Sequence, residues 1–333
     1  MAQGLFREGL RMSGILILGG AGRLGRELDK TLHQLGAKTV VAASRAEADA
    51  ADPASVLKLS KRFPGGRPDW IVCAAAWSDV PRAEVDKTGA FRGNVLAPRG
   101  AALAAAHWDV PLLHYSSDYV FSGGGRRLLH SDLRPKPQGA YGRTKLDGER
   151  EVRRITRKAS GKALIVRAGW LYSEATGAGF PQKVLERALS GKPITMRTNQ
   201  FGKPSSYESL AFWSASMMLG GAESSLGRGV PEVLHFAPPG ETVSRYALAK
   251  RILSRAAEFS EKQGFGLGVV FTNALIGMKG FRAHQKSQPE NCRLSCEQLA
   301  FFNASYCYSW QESVDKSVDN FLLPRFAIGE TQD

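Results

Sequence analysis

ILILGGAGRLGREL, residues Ile15 to Leu28, decides the fold of this 333-residue chain. Ile15 to Leu18 form an apolar run of strand length. Gly19, Gly22 and Gly25 follow at Gly-x-x-Gly-x-x-Gly spacing. Leu24, Leu28, Leu32 and Leu35 then recur at helical spacing, as on a helix lying against a sheet. A strand, a glycine-rich turn and a helix make a dinucleotide phosphate site. Glycine lets the backbone approach the pyrophosphate, and the helix N-terminus favours negative charge. Gly19, Gly22, Arg23, Leu24 and Gly25 are therefore candidate cofactor contacts.

The pattern continues downstream. Thr39 to Ala43 reads as a second strand, ending in Ser44-Arg45. An acid at this point suits the ribose hydroxyls of NAD, and an Arg suits the extra phosphate of NADP. An Arg also suits a solvated strand end. No acid stands here, so the reading leans to NADPH, with NADH as the alternative. Asp52 is placed to reach the adenine or, equally, to cap a helix opened by Pro53. Trp70 to Ala76 reads as a buried strand whose small end, Ala74, Ala75 and Ala76, lets a cofactor lie flat. A helix from about Asp86 to His107 carries Asn94. Val110 to Ser117 is a further buried strand and runs into Asp118-Tyr119.

Strands alternating with helices give an α/β fold, a doubly wound parallel sheet of Rossmann type. Ligands bind beyond the carboxyl ends of such strands. Ser117 ends one strand. After a loop rich in Gly and Pro, Tyr141 and Lys145 stand four apart on a predicted helix, sharing a face. A phenol beside a cation can pass a proton to a carbonyl or hydroxyl.

Residues 14–170 are expected to form the cofactor domain, with part of 200–230 returning to it. Residues 171–325 form a smaller C-terminal α/β substrate domain. Its predicted elements are helix Pro181–Ser190, strand Pro193–Met196, helix Tyr207–Leu219, strand Val233–Ala237, helix Val243–Phe259 and an amphipathic helix Trp310–Leu323, with a Gly/Ser-rich turn at 221–230. Residues 1–13 read as a leader, with Met12 as an alternative start.

The 43% hydrophobic content suits a chain with a sizeable core. No run reaches the roughly 18 apolar residues of a membrane span, so the expected setting is the cytoplasm, with no membrane partner. Forty-five Lys plus Arg against 31 Asp plus Glu leave a net charge of +14. The basic residues are scattered and carry no nucleic-acid motif, so an anionic cofactor and substrate are the expected partners. Cys73, Cys292, Cys296 and Cys307 lack Cys-x-x-Cys spacing and read as reduced thiols, with no metal site.

Seven stretches occur in a fixed order: GGAGRLG, CAAAWSDVPRAE, HYSSDYVFSG, YGRTKLDGE, VRAGWLYS, TNQFGKPS and QPENCRLSCEQL. With them the chain, from about Ile15 to Leu323, resembles the extended short-chain dehydrogenase/reductases, and among these the dTDP-4-dehydrorhamnose reductase family. The resemblance implies NADPH-dependent reduction of the C4 keto group of a nucleotide-linked 4-keto-6-deoxy sugar by a monomer or homodimer. It places a catalytic triad on Ser117, Tyr141 and Lys145. Ser117 holds the keto oxygen, Tyr141 protonates it, and Lys145 binds the nicotinamide ribose and lowers the Tyr141 pKa. Asn94 supports the cofactor site. Ser116, Asp118, Tyr119, Trp170, Gln200 and Phe201 fall on the substrate side. Trp170 also reads as plain core, Gln200 as an ordinary loop amide and Asn94 as a clamp on buried backbone.

The chain departs from the family across Gly264 to Gly280 and at three further points. Ser117 stands for Thr, Pro81 for an acid, and Gln288-Pro289 for an Arg-Pro pair. The last removes a cation near the substrate diphosphate, for which Arg282, Lys286 or Arg293 could compensate. Two alternatives share the fold. One is a nucleotide-sugar epimerase. The other is a non-catalytic NADP-binding subunit like the regulatory subunit of methionine adenosyltransferase.

Overall fold

The structure is a computed structural model and describes residues 14–159, 161–220, 226, 232–272, 275–279, 288–297, 299 and 309–326. The leader at 1–13, nearly all of the turn at 221–230, Arg282, Lys286 and Cys307 lie outside the described residues.

Six parallel strands form the central sheet: β1 (Gly14–Leu18), β2 (Thr39–Ala43), β3 (Trp70–Cys73), β4 (Leu112–Ser117), β5 (Ala163–Ala168) and, later in the chain, β10 (Val233–Phe236). Their spatial order is β10-β5-β4-β3-β1-β2. The order reverses beside β1, so the connections leaving β1 and β3 run to opposite faces of the sheet and leave a crevice beyond their carboxyl ends. Helices cover both faces of the sheet, which is why β1, β3 and β4 are continuous apolar or buried runs rather than alternating ones. The sixth strand begins at Val233, just past the 200–230 segment expected to return to this layer.

On one face lie α1 (Arg23–Gln34) and α8 (Tyr207–Leu219), packed on Ile17, Leu113, Val166 and Phe236. On the other face lie α5 (Ala97–Trp108) and α6 (Ala140–Lys158), over Leu16, Ile71, Leu112 and Ile165. The helix expected over Asp86–His107 is instead broken into pieces. Helices α3 (Val80–Val85) and α4 (Lys87–Phe91) are separate, each capped by an aspartate: Asp79 accepts from Arg82 N at 3.0 Å and Asp86 from Gly89 N at 2.7 Å. A π-helical turn, Arg92–Leu96, then leads into α5. Pro98 has no N–H to offer the Asn94 carbonyl, so the regular ladder cannot run through this turn.

The second layer contains α7 (Phe180–Leu189), α9 (Arg245–Lys262), α10 (Gly268–Thr272) and α11 (Trp310–Phe326), around Val184, Leu185, Ile252, Val314 and Phe321. Arg251 and Arg255 on α9 grip Asp315 and Asp319 on α11 in two bidentate pairs, with shortest contacts of 2.7 and 2.5 Å. Short strands line the seam: β6 (Leu171–Tyr172) pairs with β9 (Ser205–Ser206), β7 (Ile194–Arg197) with β12 (Leu275–Met278), and β8 (Phe201–Gly202) with both β11 (Val243–Ser244) and β13 (Asn291–Cys292). Among the described residues no helix is long and apolar enough to cross a membrane.

Beneath β4 and β5, Glu149 of α6 holds Arg167 bidentately at 2.9 and 2.7 Å and also accepts from Ser116 Oγ at 2.5 Å. Both charges are almost wholly buried. Removing one partner of such a pair strands the other in a low-dielectric interior. Arg167→Met should therefore lower unfolding free energy by about 3–5 kcal/mol, measured by urea denaturation near neutral pH. Glu149→Leu with Arg167→Met should recover most of that loss. A single-variant loss below about 1 kcal/mol would show that the pair is not holding α6 to the sheet.

Candidate active site

The crevice begins at the glycine turn. Gly19 has φ +87°, and a Cβ there would lie 2.6 Å from Ala75 N. A Cβ on Gly25 would lie 2.3 Å from the Gly19 carbonyl oxygen. The turn therefore closes against β3 and α1 only with bare backbone. Gly22 caps α1 with no side-chain hydrogen bond, which leaves the first N–H groups of the helix open to an anion. Gly20, which sequence spacing did not single out, is as constrained: a Cβ would sit 2.4 Å from the Ala42 carbonyl carbon.

From this turn a groove of about 160 Å³ runs past Gly19, Arg45, Asp49, Ala75, Ala76 and Trp77. Asp52 is not on its wall. It caps α2 (Pro53–Leu57), accepting from Ala54 N at 3.0 Å, because the Asp-Pro step satisfies the helix start locally. Asp49 stands in the groove instead, ion-paired with Arg92. Ser44 closes a small turn with Glu47, its N–H donating to Oε2 at 2.8 Å. Leu24 turns its side chain into the core, and Ala74 packs against the same cluster. Asn94 is wholly buried and clamps the loop after β3. Its Oδ1 accepts from Trp77 N at 3.0 Å, and its Nδ2 donates to Trp77 O and Thr144 Oγ1, both at 3.1 Å.

A second cavity, of about 560 Å³, opens at the carboxyl ends of β4 and β5. Ser116, Ser117, Asp118, Tyr119, Tyr141, Trp170 and Gln200 all line it, as does Arg23, which faces this space rather than the groove. Phe201 does not line it; it sits in the small sheet with the Arg293 guanidinium 3.9 Å above its ring. Ser117 Oγ donates to Asp118 Oδ1 at 2.9 Å and accepts from Tyr119 N at 3.2 Å. Burial pushes the Tyr141 phenol up to about 12, against a smaller downward pull from the neighbouring Ser117 hydroxyl. Lys145 does not supply the expected lowering. It is buried behind the cavity, where Nζ donates to the Tyr115 carbonyl at 2.6 Å, and burial pushes its own pKa down to about 8.

Three cations of the cavity were not evident in the sequence: Lys183 of α7, Arg197 of β7 and Arg245 at the start of α9. Arg245 is sandwiched, its guanidinium 3.5 Å from the Trp170 ring centre and 4.8 Å from that of Phe180. Burial lowers its pKa, against the opposing influence of Tyr119 and Asp118. Trp170 adopts φ +54°, an unfavourable conformation for a bulky residue, and its ring covers Gly202, where a Cβ would fall 2.6 Å from it. Gln288 lines the cavity where an Arg was looked for, and Arg197 and Arg245 supply positive charge on the same wall. Arg197 also contacts Glu290 at 3.2 Å.

With this geometry in place, a family model described as RmlD substrate binding domain matches residues 12–323. The dTDP-4-dehydrorhamnose reductase of Escherichia coli is 28% identical over 92% of this chain and 98% of that protein. A probable dTDP-4,6-dihydroxy-2-methyloxan-3-one 4-ketoreductase of Streptomyces antibioticus is 34% identical over 71% of this chain and 75% of that one. Among solved structures, a dTDP-4-dehydrorhamnose reductase from Clostridium acetobutylicum superposes with TM-score 0.74 and 25% identity, over 93% of this chain and 99% of that one. The NADP complex of the Bacillus anthracis enzyme shares the fold, with TM-score 0.75 and 21% identity over 94% and 99%.

The buried lysine yields a stability prediction. Its folded pKa of about 8 lies below the ordinary lysine value of 10.5, so the ammonium costs stability at neutral pH. The unfolded chain binds more protons between these two values, and stability should rise through that window. Compared with Lys145→Met, the wild type should gain stability from about pH 8 to about pH 10, read by chemical denaturation. Parallel curves for the two proteins would place the Lys145 pKa at its ordinary value.

Proposed function

The chain belongs to the RmlD substrate binding domain family, and from that premise we propose that it is an NADPH-dependent reductase of a nucleotide-linked 4-keto-6-deoxy sugar. The substrate is dTDP-4-dehydro-L-rhamnose and the product dTDP-L-rhamnose. The observation that carries this reading is the meeting of Ser117 and Tyr141 with Arg23, Lys183, Arg197 and Arg245 in one cavity beside the glycine turn. A proton donor for a carbonyl and a set of cations for a diphosphate stand within reach of a single ligand. The relatives named dTDP-4-dehydrorhamnose reductase support the substrate, and a cytoplasmic monomer or homodimer is part of the same proposal.

The chain's own groups fit a dinucleotide. The Gly19–Gly25 turn presents backbone that a Cβ would obstruct, and the open N-terminus of α1 suits the pyrophosphate. Arg45 stands where the 2′-phosphate of NADP would be held. When bound, NADPH supplies the hydride. Ser117 donates a hydrogen bond to the keto oxygen. Tyr141, a neutral phenol whose pKa burial raises further, has a proton to deliver to that oxygen as charge develops. Lys145 holds the Tyr115 carbonyl and so steadies the end of β4 beneath both groups.

Purified protein should oxidise NADPH when dTDP-4-dehydro-L-rhamnose is supplied and should release dTDP-L-rhamnose. Tyr141→Phe should lower kcat by about 10²–10⁴ while NADPH binding, followed by fluorescence, is kept. Near-normal turnover in this variant would remove Tyr141 from the acid role. Arg45→Asp should shift the cofactor preference toward NADH; an unchanged ratio of kcat/KM for the two cofactors would show that Arg45 does not read the 2′-phosphate. Tight NADPH binding without turnover on any keto sugar, with capture of a partner enzyme, would favour the regulatory subunit.

A further inference from the structure

The stretch CAAAWSDVPRAE ends on an acid, Glu84, that the reductase chemistry leaves unused. Glu84 lies on α3, and its Oε1 accepts from the Ala140 N–H at 2.7 Å, across 56 positions of chain. Ala140 opens α6, one residue before Tyr141. The first N–H groups of a helix have no partner inside it and take an acceptor from elsewhere. The start of α6 supplies none of its own: the N-cap is Gly139, without a side-chain hydrogen bond, and the first turn holds no acid. Ala140 is buried, so its N–H needs a partner within the protein. Glu84 meets that need from a different element, and a carboxylate at this end also suits the helix dipole.

The segment that carries Glu84 is tied to α6 a second time. Asn94 clamps Trp77 through both its N–H and its carbonyl, and donates from Nδ2 to Thr144 Oγ1 at 3.1 Å. The two ties reach α6 at Ala140 and Thr144 and bracket Tyr141. Between them the segment passes from the groove, where Trp77 is on the wall, to the cavity, where Ser78 and Val80 stand with Tyr141.

Resting on the reductase reading, we propose that Glu84 is a positioning residue for Tyr141. It caps α6 from outside and so fixes the phenol in the cavity relative to the cofactor groove. Glu84 lines neither space and acts through the backbone alone. The seat of Gly142 on the Tyr119 carbonyl sets how near α6 lies to the end of β4. The Glu84 contact sets that α6 is helical from its first residue, of which Tyr141 is the next. Without it the first turn opens to find another acceptor, and a shift of about 1 Å at a reacting group costs on the order of 10²-fold in rate.

The test compares Glu84→Gln, whose amide oxygen still accepts, with Glu84→Leu, which does not. Ser309→Ala is the control for a lost cap elsewhere: the Ser309 hydroxyl accepts from Glu312 N at 3.3 Å at the start of α11. Glu84→Leu should lower kcat by about 10–100-fold while the Kd for NADPH, followed by fluorescence, is kept. Glu84→Gln should recover most of kcat, and Ser309→Ala should retain it. Wild-type kcat in Glu84→Leu, or a Glu84→Gln as slow as Glu84→Leu, would overturn the inference and leave the reductase reading intact. Amide hydrogen exchange over residues 139–144, read by mass spectrometry with no substrate present, should quicken in Glu84→Leu and stay slow in Glu84→Gln. Unchanged exchange in Glu84→Leu would also overturn the inference. Quickened exchange in a protein whose wild type reduces no keto sugar would instead fail the reductase reading, and the catalytic role of Glu84 with it.

Discussion

The Tyr119 carbonyl rests against Gly142, so closely that a Cβ there would lie 2.1 Å from the oxygen. This contact seats the turn after β4 on the first turn of α6. Any larger residue at 142 would push the helix start away from the strand end. Because the contact is made, Tyr141 and Ser117 face one cavity, although a Gly/Pro-rich loop of about twenty residues separates them in sequence. Lys145, one helical turn on, ties the same strand from beneath through the Tyr115 carbonyl. The T-shaped packing of Tyr119 on Tyr141, at 5.7 Å, fixes the ring that carries the phenol. The chemistry sits at the seam of two elements held by backbone contact, which gives it the rigidity a proton transfer needs.

Charge is distributed by purpose. Where the fold requires strength, buried or half-buried charges come in bidentate pairs: Glu149 with Arg167 and the Arg251–Asp315 and Arg255–Asp319 ladder. At the reacting end, Asp118 and Lys145 are buried and Tyr141 is half-buried, without an opposite charge in contact among the described residues. Their pKa values move accordingly, upward for the two acids and downward for the amine. A structural pair lowers its own desolvation cost, whereas a group left uncompensated is easier to neutralise. Uncompensated burial in a cleft is the pattern that acid–base chemistry requires.

The sheet was legible because both its faces are covered. Buried strands are continuous apolar runs, and Thr39–Ala43 coincides with its expected bounds. The helix Tyr207–Leu219 coincides as well. The segment Asp86–His107 was read as one helix, though its break is written in the sequence: Asp86 at a cap and Pro98 inside. Asp52 was drawn toward the cofactor by position alone, while Asp-Pro carried the better signal, a helix cap. Family motifs brought Asp118, Trp170 and Gln200 to the cavity. Lys183, Arg197 and Arg245 were missed because each stands alone on a different element, and an isolated basic residue looks like a solvated one. The φ of Trp170 had no sequence signal, since tertiary packing on Gly202 and Arg245 imposes it.

The origin of those cations bears on how a ligand would be held. Arg23 comes from the sheet layer, at the first turn of α1; Lys183, Arg197 and Arg245 come from the second layer. A single anion in the cavity would therefore draw on charge from both layers. Arg245 is held between the rings of Trp170 and Phe180 at the cavity wall. Its charge is uncompensated in the same sense as the charge on Asp118, and it lies near enough to temper that carboxylate without neutralising it. Filling the cavity with a diphosphate would spend the Arg245 field on the ligand and leave Asp118 less favourable as an anion.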